Sequence, residues 1–105
     1  MYSIGDVNVI AGLVPNGNAS AQDLTVSSTA VSFAALHADT THVMFTVDNA
    51  VVRVTFAGDD PTAATGHPMP KYANGYWSRA TGEAARFIRD GDSDGVVHIT
   101  EMVLP

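Results

Sequence analysis

Apolar and polar residues alternate most regularly between Thr41 and Phe56, THVMFTVDNAVVRVTF. Val43, Phe45 and Val47 fall on one side of an extended segment, and His42, Met44 and Thr46 on the other. After Asp48-Asn49-Ala50 the alternation resumes, with Val52, Val54 and Phe56 on one side and Arg53 and Thr55 among those opposite. Two period-2 runs joined by a short Asp-Asn turn predict a β-hairpin. Their β-branched and aromatic content suits a pleated, half-buried surface. The expected core is built around these two arms.

Upstream, the strand pattern from Ala21 to Leu36 changes phase. Leu24 and Val26 are even-numbered, whereas Val31 and Phe33 are odd-numbered. Side chains alternate strictly along a strand, so this shift requires a bulge or a break, and Ser27-Ser28-Thr29 is the natural place for it. Downstream of Phe56 runs a loop rich in Gly, Pro, Asp and Thr, and Pro68 and Pro70 confine it to a sheet edge or the surface. Asn74-Gly75 predicts a two-residue hairpin turn. Ala84 to Arg89 reads equally as helix or strand. Val96 to Leu104 is β-rich, with Val97 and Ile99 on one face. Glu101 falls on that same face, which predicts that the strand ends or bulges near Thr100.

The first twenty residues differ from the rest. Val7, Val9, Ile10, Leu13 and Val14 are apolar, and Pro-Asn-Gly-Asn-Ala-Ser follows from Pro15. Three readings stand: a first strand of the sheet, an apolar arm that docks on a partner through Val9, Ile10, Leu13 and Val14, or simple terminal disorder. The division adopted is an N-terminal arm, 1–20, and a β-sandwich domain, 21–105, with the arm dispensable for folding. The expected fold is all-β, a small β-sandwich or barrel of about seven antiparallel strands.

With 105 residues, 46% of them apolar, the chain has room for one domain with a packed core. It contains no cysteine, so disulfides, thiolate metal sites and Cys nucleophiles are all excluded. The net charge is -6, and the five basic residues are Arg53, Lys71, Arg79, Arg86 and Arg89. That balance argues against nucleic acid as a partner. The absence of basic residues before Arg53 argues against a secretory leader. No apolar run approaches the roughly 20 residues that cross a bilayer, so no membrane partner is expected.

Candidate chemistry is sparse. Asp90, Asp92 and Asp94 with Gly95, and Glu101 at the twelfth position, match the spacing of an EF-hand loop. The flanking helices that motif needs do not fit, because only Met102 to Pro105 follow Glu101. The stretch therefore reads as an Asp/Gly/Ser turn, with loose calcium binding by the three aspartates as the alternative and no tight metal site expected. His37, His42, His67 and His98 lack metal-binding spacing. Neither a nucleophile elbow nor a phosphate loop is present. The reading is non-enzymatic and cofactor-free. Tyr72, Tyr76 and Trp77 cluster about Asn74-Gly75, where aromatics serve to stack on sugars, pack a core edge or fill a subunit interface.

The succession VVRVTFAGDDPTAATGHP from Val51 to Pro68, followed by ARFIR from Ala85, resembles a family of small β-domain virion proteins of tailed bacteriophages. The matching positions are Arg53, Gly58, Pro61, Thr62, Ala63, Gly66, His67, Arg86, Phe87 and Ile88, and the similarity spans about Leu24 to Thr100. The resemblance implies a capsid decoration or cement protein on the virion surface, present in many copies or as a homo-oligomer. It implies the major capsid protein as partner and names no catalytic residue. The alternative from another class is a sugar- or receptor-binding module, or an adaptor, on a tail or fibre. That reading would use Tyr72, Tyr76 and Trp77.

Overall fold

The computed structural model describes residues 12–105, so Val7, Val9 and Ile10 lie outside the described residues. Among the described residues eight strands are present: β1 (Val14–Pro15), β2 (Gln22–Val26), β3 (His42–Asp48), β4 (Val52–Thr55), β5 (His67–Met69), β6 (Asn74–Ser78), β7 (Arg86–Arg89) and β8 (Gly95–Val103). A short helix, α1 (Arg79–Ala84), links β6 to β7. All strand pairs are antiparallel, in two sheets. In the larger sheet, β8 lies between β3 on one side and both β1 and β2 on the other, and β6 continues beyond β3. The smaller sheet runs β5-β4-β7. The predicted all-β sandwich is the observed fold.

The inward faces follow the alternation in the sequence. Val43, Phe45 and Val47 of β3, Val52 and Val54 of β4, and Val97 and Ile99 of β8 are buried in one core with Val26, Leu36, Ala85 and Phe87. Each such aliphatic or aromatic side chain contributes about 1.5–3 kcal/mol by leaving water. Trp77 stacks on Phe45 with ring centroids 3.9 Å apart, and Phe56 meets it edge-on at 5.4 Å.

The predicted hairpin does not form. β3 pairs with β6 and β8, whereas β4 pairs with β5 and β7, so Asp48 to Val51 carries the chain across the core from one sheet to the other. Asn49 takes a left-handed conformation (φ 76°), which Asn tolerates better than most residues. Its Nδ2 donates to the Asp94 carbonyl at 3.0 Å. The loop between β7 and β8 is a second crossing, and Asp90 N–H donates to the Val51 carbonyl at 3.1 Å, so the two crossings are tied side by side. There the sheets pinch together: a Cβ on Gly95 would collide with Val52 and lie 3.2 Å from the Ala50 carbonyl oxygen.

Asn74-Gly75 is likewise part of a strand rather than a turn. The chain reverses earlier, where Ala73 N–H donates to the Pro70 carbonyl and Tyr72 takes the positive φ of 74°. Gly75 serves another end: the Phe45 ring lies over it, where a Cβ would sit 3.3 Å from Phe45 Cε1. The ambiguous segment divides, with α1 ending at Ala84 and β7 beginning at Arg86. Ser78 caps the helix by accepting from Thr81 N–H. The phase change resolves as a break. β2 ends at Val26, the Ser27 carbonyl accepts from Arg89 N–H, and Val31 bridges Phe87, so the chain passes from the larger sheet to the smaller one.

Two further expectations are corrected. β8 runs unbroken through Glu101, which is only 5% exposed. Its Oε1 accepts from His37 N–H and from Thr40 Oγ1, each at 2.7 Å, so the buried carboxylate needs no bulge to escape the core. The segment assigned to an arm is part of the domain from Val14 onward. Val14 and Pro15 pair with Val103 and Met102. Asn16 is buried, its N–H donating to the Glu101 carbonyl and its Nδ2 to Thr40 Oγ1.

Candidate partner-binding surfaces

Three large apolar side chains of the described residues stand exposed: Val14 (45%), Leu104 (40%) and Tyr72 (67%). Two of them share a corner. Val14 faces Val103 across the β1–β8 pair, and a Cβ on Gly12 would lie 3.3 Å from Leu104 Cδ1. Half-buried Leu13 lies between Gly12 and Val14 in the chain, so Leu13, Val14 and Leu104 all sit at this end of the larger sheet, which we call the β1 corner. The main chain is fixed there: Leu104 N–H donates to Thr41 Oγ1 at 2.9 Å. Val9 and Ile10 precede this corner directly in sequence.

The aromatic trio does not form a single platform. Trp77 turns inward against Phe45, Phe56 and Phe87. Tyr76, its neighbour along β6, projects from the opposite face in register with Met44. Tyr72 sits on the turn before β6, with Lys71 Nζ 4.9 Å from its ring centroid. Tyr72 is bonded opposite Val47, at the far end of β3 from His42 and β1. Among the described residues, the outward-facing candidates therefore fall in two separated regions, the β1 corner and the β6 edge.

The acidic loop is drawn apart by arginines. Asp90 pairs with Arg53 Nε, and Asp94 with Arg89 Nη1 at 2.8 Å. Glu101 faces the core at the other end of β8. The EF-hand ligand set is thus not assembled, and no group of three His, Asp or Glu side chains suited to a metal ion occurs among the described residues.

The positions singled out between residues 51 and 68 and between 85 and 89 have structural duties in the smaller sheet and its loop. Arg53 reaches both Asp90 and the Gly66 carbonyl (3.1 Å), and Arg86 holds Asp60. Gly66 has φ 98°, and a Cβ there would sit 3.1 Å from the Val54 carbonyl oxygen. Pro61 is buried, Thr62 and Thr65 bridge each other, and Phe87 lies in the core. These residues shape the loop from 56 to 66 rather than a ligand pocket.

Two polar clusters were not foreseen. His98 lies on the outer face of β8 between Asp23 Oδ1 (2.7 Å from Nδ1) and Asp48 Oδ2 (3.6 Å from Nε2). The hydrogen bond to Asp23 is the main reason its pKa lies above the usual imidazole value, and Asp48 adds to the effect. Alternation had given its face, but only the register reveals Asp23 opposite it. The second cluster surrounds Glu101, where Arg79 Nη1 also binds the His37 and Thr40 carbonyls at 2.6 and 2.9 Å. Its sequence signal was the acidic residue in phase with Val97 and Ile99.

Compared with known proteins, the chain matches no family model, no curated protein and no solved structure.

Proposed function

We propose that this chain is a virion structural protein of a tailed bacteriophage, a decoration or cement protein that binds the major capsid protein and stabilises the head. The reading includes no catalytic step and no cofactor. Its support is the likeness of residues 51–68 and 85–89 to such proteins, together with a small two-sheet domain that offers apolar contact area.

The observation that carries it is the β1 corner. Val14 is exposed on β1, and Leu104 is exposed just after β8 with its N–H held by Thr41 Oγ1, so docking them on a partner costs little backbone ordering. The four arginines are each matched by a carboxylate within the fold (Arg53–Asp90, Arg79–Glu83, Arg86–Asp60 and Arg89–Asp94), which favours a partner recognised by apolar contact over a polyanion. A sugar-binding surface on a tail or fibre is less well served, because Tyr76 and Trp77 project from opposite faces.

The test mixes purified protein with phage heads assembled without it and follows co-sedimentation. Uptake should saturate at a fixed ratio to the major capsid protein. Val14→Asp and Leu104→Asp should each abolish uptake without lowering the melting temperature. Absence of saturable uptake by the wild-type chain overturns the reading, and uptake unchanged in both variants removes the corner from it.

A further inference from the structure

A β-domain can be extended by another chain wherever the backbone groups of an edge strand have no partner. Among the described residues, three of the four sheet edges are guarded. β7 is bonded to Val31 in both directions (2.8 and 2.9 Å) and to the Ser27 carbonyl. β5 carries Pro68 and is followed by Pro70. The edge formed by β1 and β2 carries Pro15 and exposed Asp23, and the Gln22 side chain there binds both the N–H and the carbonyl of Ala34. β6 has none of these devices.

Its bonding parity can be read directly. Val47 exchanges bonds with Tyr72 and Ala73, and Arg79 N–H donates to the Thr41 carbonyl. With Val43 opposite Trp77 and Phe45 opposite Gly75, the odd-numbered residues of β6 address β3. The N–H and carbonyl of Asn74 and Tyr76 therefore point away from the sheet, and no strand among the described residues receives them.

We infer that β6 pairs with β6 of a second copy, antiparallel about a two-fold axis at Tyr76, joining two five-stranded sheets into one. Charge favours a like partner. The chain carries -6 overall, yet the strand Asn-Gly-Tyr-Trp-Ser is uncharged, so two copies meet here without like charges opposed. The nearest cations are Lys71 and Arg79, the latter matched by Glu83 at 3.2 Å.

Side chains select the register. With Tyr76 opposite Tyr76, Asn74 faces Ser78, and Gly75 faces Trp77 of the second copy. Gly75 has no side chain to obstruct that indole, so the stack of Phe45 and Trp77 continues across the axis. Shifting one way sets two tryptophans against each other, and shifting the other way sets glycine against glycine. A strand this short buries less than a stable dimer needs, so the pairing is weak in free solution and gains from high local concentration. The inference does not rest on the head-binding reading.

The absence of cysteine supplies a clean test. A hydrogen-bonded antiparallel pair sets its Cα atoms about 5.5 Å apart, inside the roughly 4.4–6.8 Å a disulfide spans. Under mild oxidation Tyr76→Cys should become a covalent dimer, while Ser93→Cys, in an exposed loop, should remain monomeric at the same concentration. In sedimentation velocity the wild-type chain should show a dimer fraction that rises with concentration, and Tyr76→Lys should lose it. Wild-type protein that stays monomeric up to about 1 mM overturns the inference, as does equal cross-linking at positions 76 and 93.

Discussion

Phe45 lies between two features that sequence position alone does not connect: the Trp77 ring stacked on it and Gly75 beneath its edge. Truncation would remove a buried ring and leave Trp77 without its stacking partner. Phe45→Ala should therefore cost about 3–5 kcal/mol of unfolding free energy, measured by urea denaturation. That Phe45 faces inward is legible from alternation; its aromatic partner is not, because the sequence places Trp77 with Tyr72 and Tyr76 about a turn. His98 offers a second test. Asp23, and less strongly Asp48, favour its charged form in the folded state, so its folded pKa exceeds the unfolded value. The resulting stability is fully present below the unfolded pKa of about 6.5 and is lost as pH rises through the folded pKa. Compared with His98→Gln, the wild-type chain should thus gain stability on acidification from mildly alkaline to mildly acidic pH, and Asp23→Asn should remove most of that gain. An NMR titration placing the His98 ring at or below the usual imidazole value would contradict this.

Alternation reports which face a residue occupies and is silent about which strand lies alongside. The pattern from Val43 to Phe56 fits a hairpin or a sheet-to-sheet crossing equally well, since both bury the same side chains. What selects the crossing is tertiary: Asn49 and Val51 bond to the second crossing loop, and Gly95 allows the sheets to close on Val52. The same limit applies to Asn74-Gly75, whose composition suits a turn but whose glycine serves the Phe45 ring. At the opposite end, Glu101 pins the loop before β3. Glu101→Ala would leave His37 N–H and the Thr40 hydroxyl proton without their acceptor, at a cost of about 1–3 kcal/mol. Glu101→Gln keeps an acceptor at the same place and should cost less in the same urea titration. The alternation predicts an end or bulge near Thr100 because an unpaired charge on a core face is unfavourable; the donors that satisfy Glu101 come from residues 61 and 64 positions away.

Over the whole molecule, the all-β sandwich was legible because its strands are short, alternating and separated by turn-forming residues. The boundary at residue 20 was not. The turn composition after Pro15 suggested a linker, whereas Asn16 is a buried partner of Thr40 and Val14–Pro15 extend the larger sheet. Deleting residues 1–20 removes these bonds and should lower the melting temperature by several degrees. Thermal unfolding unchanged by that deletion would restore the independent arm. The sequence offers candidate contact residues by type alone, as apolar and aromatic side chains outside the main alternation. Their distribution between the β1 corner and the β6 edge depends on strand order, which the one-dimensional pattern does not contain. The proposed attachment to a head would use the β1 corner, and the inferred pairing with a second copy would use the β6 edge. The most direct measurement is the number of copies of this chain in purified virions, obtained by quantitative mass spectrometry against the major capsid protein. The account predicts a fixed, near-stoichiometric ratio that survives gradient purification; absence from the virion, or a few copies found only with tails, would contradict it.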